Sequence, residues 1–232
     1  MEEKLTAICL KSIDYKDNDK LVTLLSLQNG KVTAVAKGVK KASAKLKFAC
    51  QTFCMSEYVL AEKAGKRTII GASAIDSFYP VWQDAEKFTK ACAAAELADV
   101  FAEENLPAPE FFLLLAELLK AYSYEKVQPS LLLLKFITQA VAVSGYAVSV
   151  FPSESARFSF EEGKISDSVQ GIKVSYELSC LLYEMAELKM NQLCNKRAPE
   201  TLIKEGLNLF NRYAEQKSGT ALRAANLNMN IK

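Results

Sequence analysis

The first third of the chain alternates short apolar runs with polar punctuation. Residues 5–13 and 21–27 are strand-like and rich in Leu and Ile, and residues 32–36, 53–61 and 68–74 continue the pattern. Asn29-Gly30 separates the second run from the third, and because both residue types tolerate positive φ, the spacing predicts a type I′ hairpin there. A second hairpin is predicted across residues 62–67, with Gly65 at the bend. Five antiparallel strands within about seventy residues must close on themselves to protect their edges. The most economical solution is a small Greek-key barrel of the OB type, although periodicity alone also admits an SH3-like barrel.

Past Phe78-Tyr79-Pro80 the period becomes helical. Residues 85–104 are rich in alanine and free of Gly and Pro, residues 110–122 follow Pro107 and Pro109, and residues 130–144 follow Pro129. Each proline stands where a first helical turn accepts it. Residues 113–115 and 131–134 are leucine on every side, as at the centre of a bundle. Residues 146–173 interrupt this with Pro152, Gly163, Gly171 and many serines, and predict a loop or a small hairpin turning at Glu161-Glu162-Gly163. Helix resumes over 176–195, with Ser175 as N-cap, and over 199–217, ending at Ser218-Gly219. The fold class is therefore α+β and multidomain: a five-stranded OB-fold barrel at 1–79, then a mostly α-helical domain at 80–232 with an insertion at about 146–174.

Composition narrows the chemistry. The chain has 232 residues, 50% hydrophobic and 24% charged, as in ordinary globular proteins. It contains no histidine, which removes both the usual general base and the commonest metal ligand. The six cysteines are scattered and form no Cys-x-x-Cys pair; Cys50 and Cys54 lack the further ligands that tetrahedral zinc needs, and read as core. No secretory signal follows Met1, so a reducing cytoplasm is expected. Residues 136–153 carry no charge, but Gln139, Gly145 and Pro152 within them favour a buried helix and a turn over a membrane span. Gly65-Lys66-Arg67-Thr68 fails as a phosphate-binding P-loop, because Leu60 and Arg67 stand where Gly and Ser/Thr are required. Glu103-Glu104 and Glu161-Glu162 read as solvated surface.

Charge supplies the strongest functional signal. The net charge of +2 conceals 13 Lys/Arg against 7 Asp/Glu in residues 1–71, and the reverse bias after them. Residues 31–49 hold six lysines and no carboxylate, on the predicted third strand and the connection that follows it. A basic run beside a small barrel points to a phosphate backbone as ligand. Lys37, Lys40, Lys41, Lys45 and Lys47 are the primary candidates, with Lys20, Lys31, Lys66 and Arg67 as secondary ones. Only Tyr15, Phe48, Phe53 and Tyr58 are aromatic in this third, so stacking is sparse and sequence-tolerant binding is expected.

The stretch AICLKSIDYKDNDKLVTLLSLQNGKVTAVAKGVKKASAKLKFACQTF resembles the N-terminal domain of the RecO family of bacterial recombination mediators. The matching elements are Leu10-Lys11-Ser12, Asp14-Tyr15, Asn18-Asp19 leading into Leu21-Val22-Thr23-Leu24, and Ala36-Lys37-Gly38-Val39-Lys40-Lys41 followed by Ser43, Lys45 and Leu46. Arg157-Phe158-Ser159-Phe160-Glu161-Glu162-Gly163 extends the likeness into the second domain. The resemblance implies a DNA repair factor, not an enzyme, that binds single- and double-stranded DNA, anneals complementary strands and assists recombinase loading. Its implied partners are RecR and the acidic, apolar-ended tail of single-stranded DNA-binding protein, and its implied location is the nucleoid-associated cytoplasm. That tail would need an apolar pocket with a basic rim on the helical domain. Many relatives carry a four-cysteine zinc site in the insertion, whereas residues 146–173 contain no cysteine, so neither metal nor cofactor is expected. Thr52 replaces the proline usual before Phe53, and Leu222-Arg223 keeps only part of the basic family tail. Three other readings stay open: a general RNA-binding OB protein, an enzyme with a lysine nucleophile, and a helical scaffold with a structural barrel.

Overall fold

A computed structural model describes residues 2–223. Strands β1 (Glu2–Tyr15), β2 (Asp19–Ser26), β3 (Gly30–Ala36), β4 (Met55–Lys63) and β5 (Lys66–Asp76) close into a barrel in the order β1-β2-β3-β5-β4. All neighbouring pairs are antiparallel except β3 and β5, which meet in parallel at Val35–Thr68 and Ala36–Ile69. Alternation decides the two faces of β1: Leu5, Ala7 and Cys9 fill the barrel with Val22, Leu24, Val32, Ala34 and Tyr58, whereas Ile8 and Leu10 point out into the core of the helical domain. Residues 37–54 cross the barrel's end between β3 and β4, and a short turn at Phe48–Cys50 plugs it where the Tyr58 hydroxyl donates to the Ala49 carbonyl at 2.8 Å.

The turns correct one expectation. Gly30 takes a positive φ of 61° but Asn29 does not, and the loop spans 27–29, where the Ser26 hydroxyl accepts from the N–H groups of Gln28 and Asn29. The two-residue turn with both residues left-handed is instead Ala64-Gly65, at φ 51° and 72°, between paired Lys63 and Lys66.

The helical domain contains α1 (Tyr79–Trp82), α2 (Ala85–Phe101), α3 (Pro109–Tyr124), α4 (Pro129–Val141), α5 (Tyr176–Glu187), α6 (Met190–Leu193) and α7 (Glu200–Ser218). The Asp84 carboxylate caps α2 by accepting from the N–H groups of Glu86 and Lys87, and Ser175 caps α5. Helix α2 ends at Phe101 rather than at residue 104, because the backbone that follows is taken up by β3. The insertion is a four-stranded sheet, β6 (Ser149–Val150), β7 (Arg157–Ser159), β8 (Lys164–Ser166) and β9 (Ile172–Lys173), in the order β6-β8-β7-β9. Phe158, Phe160, Phe210 and Tyr213 stack edge-on or tilted and anchor it to α7.

The helix expected over 176–195 breaks at Leu188 and Lys189, both extended. A buried cation meets the break. Lys135 on α4 is fully buried, and its Nζ donates at 2.6 Å to the carbonyl of Met185 in the last turn of α5. Burial pushes this ammonium down to about 8, with the Glu117 and Glu187 carboxylates pulling the other way. The unfolded chain therefore binds the proton more tightly than the native one between pH 8 and the ordinary lysine value. Stability is accordingly expected to rise with pH across that window relative to Lys135→Met, by roughly 1–3 kcal/mol. Urea denaturation of both proteins at pH 7.5 and 10 is the check; parallel behaviour would count against a buried charge there.

Candidate nucleic-acid interface

The candidate face is built from the outward-facing positions of β1, β2 and β3 and from the crossover. On β3, Lys31, Thr33 and Val35 alternate with the buried Val32, Ala34 and Ala36. Across β2 from them, on β1, lie Ile13, 55% exposed, and Tyr15, 38% exposed. Two bonds tie the start of the crossover to the β1–β2 turn: Gly38 N–H donates to the Asp19 carboxylate at 2.8 Å, and Lys40 N–H donates to the Asn18 carbonyl at 3.1 Å. These contacts set the basic loop at the end of β3, beside Tyr15.

The five primary candidates, Lys37, Lys40, Lys41, Lys45 and Lys47, are all exposed. Lys37, Lys41 and Lys45 have no ion pair among the described residues. Lys40 Nζ lies 2.7 Å from Asp14, which holds that carboxyl below its ordinary value, and Lys20 approaches the same group at 4.0 Å. Lys47 folds back to the Ala42 carbonyl at 3.3 Å.

The secondary candidates divide. Lys66 is exposed on the β4–β5 turn, level with Thr33 rather than with the loop. Arg67 is turned to Glu62 at 3.4 Å and to the Asn105 side chain. Lys31 is a docking residue: its Nζ donates to the Asp99 carbonyl at 2.6 Å and lies 3.6 Å from the Asp99 carboxylate. Lys11 pairs with the same carboxylate at 2.5 Å. Lys16, not singled out in the sequence, extends the basic loop, with its Nζ 5.4 Å from the centre of the Tyr15 ring. Its signal was its place in the turn that receives the Lys40 N–H. Phe53 and Tyr58 are buried, which leaves Tyr15 and the half-buried Phe48 as the aromatics on this side.

Glu104, read as solvated surface, accepts from the Thr33 hydroxyl at 2.9 Å, and residues 103–105 lie along β3. On the helical domain, a pocket of about 470 Å³ between α3, α4, α5 and β6 is lined by Leu114, Val148, Leu182, Met185 and Phe210, with Leu113 59% exposed at its mouth. Leu113 is thus not at the bundle centre, and the pocket rim carries Glu110 and Glu117. Among the described residues there is no cluster of three metal-ligating side chains, and no helix long and apolar enough to cross a membrane.

The barrel order, with β3 parallel to β5, and the helical bundle packed on its outer face define an OB-fold protein with a C-terminal helical domain. Comparison with known families makes this specific. The model described as Recombination protein O N terminal matches residues 1–78, and Recombination protein O C terminal matches residues 83–225. The chain belongs to the RecO family. The DNA repair protein RecO of Clostridium novyi is 37% identical over 125 residues, 54% of this chain and 48% of that protein. The one from Desulfitobacterium hafniense is 32% identical over 140 residues, 60% of this chain and 50% of that protein. The chain thus spans about half the length of these curated relatives. With the DNA repair protein RecO of Acetivibrio thermocellus, the likeness covers 92% of this chain and 91% of the relative at 25% identity.

Proposed function

We propose that this protein is a non-catalytic DNA repair and recombination mediator that binds single- and double-stranded DNA, anneals complementary strands and assists recombinase loading. The observation that carries this reading is the row of exposed lysines on the crossover of an OB barrel, at the mouth beside Tyr15. Lys37, Lys40, Lys41, Lys45 and Lys47 neutralise phosphates, Lys20 and Lys16 flank them, Lys66 offers a further cation level with Thr33, and Tyr15 offers a ring to a base. Two strands held on one basic surface repel each other less and can pair, so annealing needs no nucleotide hydrolysis. The reading places the protein in the cytoplasm with the nucleoid. RecR and the acidic tail of single-stranded DNA-binding protein are its protein partners, as the family likeness suggests. The carboxylate rim of Glu110 and Glu117 argues against the large helical-domain pocket as the seat of that tail.

Salt tests this directly. Five lysine–phosphate contacts on a single strand predict a log–log slope of about −3.5, hence roughly a 100-fold loss of affinity between 50 and 200 mM salt. Fluorescence anisotropy with a labelled oligonucleotide measures it, and a slope near zero would remove the proposal. Annealing of strands coated with the cognate single-stranded DNA-binding protein separates it from general RNA binding.

A further inference from the structure

The two ends of the outer β3 face differ in how their charges are partnered. At the far end from the lysine loop, residues 102–108, between α2 and α3, lie against β3 as a strap. Lys31 N–H donates to the Glu103 carbonyl at 3.1 Å, and Asn105 N–H donates to the Lys31 carbonyl at 2.9 Å. The fit is close enough that a Cβ on Gly30 would sit 1.8 Å from the Leu106 carbonyl oxygen. Three of the cations at this end are engaged by the helical domain, Lys11 and Lys31 by Asp99 and Arg67 by Asn105, while Lys66, level with Thr33, stays exposed. Glu103 and Glu104 are exposed, and the Glu103 carboxylate has no ion-pair partner among the described residues. Lys31 and Ala36 are five residues apart along β3, so roughly 17 Å separate this end from the strand's lysine-loop end.

We propose that the strap is an electrostatic stop: Glu103 and Glu104 repel the phosphate backbone at the Gly30–Thr33 end of β3 and confine a bound strand to the lysine-loop end. This rests on the DNA-binding reading above and adds a determinant of footprint to it. The backbone of the strap, not its carboxylates, makes the bonds to β3, apart from the Thr33 hydroxyl, whose contact a glutamine at 104 can also accept. Charge and docking are therefore separable by substitution.

The test is Glu103→Gln/Glu104→Gln, with labelled oligothymidylates of graded length as probe. Affinity is expected to rise about threefold to fivefold at about 20 mM salt and to converge on wild type near 0.3 M, because screening shortens the reach of the two charges. The shortest oligonucleotide that binds with full affinity should also lengthen. Glu161→Gln/Glu162→Gln, on the β7–β8 turn, controls for net charge. No gain in the strap variant, or an equal gain in the control, overturns the stop. If the strap variant shows a lowered unfolding midpoint, Glu103→Gln alone carries the same expectation at about half the effect in log affinity. Binding that depends on Lys40 and Lys41 yet ignores Glu103 and Glu104 removes the stop alone. Binding indifferent to those lysines removes the reading beneath it.

Discussion

Lys40→Glu/Lys41→Glu is expected to weaken single-strand binding by at least about 25-fold at 0.1 M salt, and to flatten the log–log slope from about −3.5 to about −2. The magnitude follows from losing two phosphate contacts at about 0.7 released counterions each; the added carboxylates make it a lower bound. Both side chains are exposed on a crossover held by backbone bonds from Gly38 and Lys40, so the substitutions leave the barrel core untouched. Lys40 does lose its pairing with Asp14. That pair is solvent-exposed, and such pairs contribute little to stability. Anisotropy across a salt series, with circular dichroism to confirm folding, is the measurement. A folded double variant with wild-type affinity would falsify the site assignment.

The largest structural effect is expected at Gly30. Its φ of 61° costs any other residue about 1–2 kcal/mol, and an added Cβ collides with the Leu106 carbonyl, a backbone atom that cannot swing aside. Moving the strap away breaks the two backbone bonds at Lys31, at about 1 kcal/mol each. Gly30→Ala should therefore lose roughly 3–4 kcal/mol in a denaturant titration and expose residues 102–108 to proteolysis. Gly38→Ala separates the contributions: its φ is 67°, but nothing lies within 4 Å of the added carbon, so only the backbone cost should appear. Equal losses at the two glycines would mean that the strap's close fit contributes nothing.

Several features were legible because they are local. The apolar runs of the first seventy residues, the Asp84 and Ser175 caps and the prolines at the first turns of α3 and α4 each act within a few residues. The misplaced turn shows where local signals stop. Asn29-Gly30 has the composition of a type I′ turn, yet barrel register and the strap require a longer loop there, and the left-handed pair falls on Ala64-Gly65. Likewise, nothing in residues 176–195 signals a break. The break falls where Lys135, forty residues or more away in sequence, donates to the Met185 carbonyl.

The candidate site divides along the same line. The order of residues alone determined that positive charge concentrates between residues 31 and 49, that the chain holds no histidine and that a barrel precedes a bundle, because local charge counts and hydrophobic periods are properties of the chain itself. Which of those lysines face open water was decided only by tertiary structure. Strands of one face carry side chains alike in type, and a neighbouring domain selects among them by contact: Asp99 removes Lys31 from the basic surface, while the crossover leaves Lys37, Lys41 and Lys45 unpaired among the described residues.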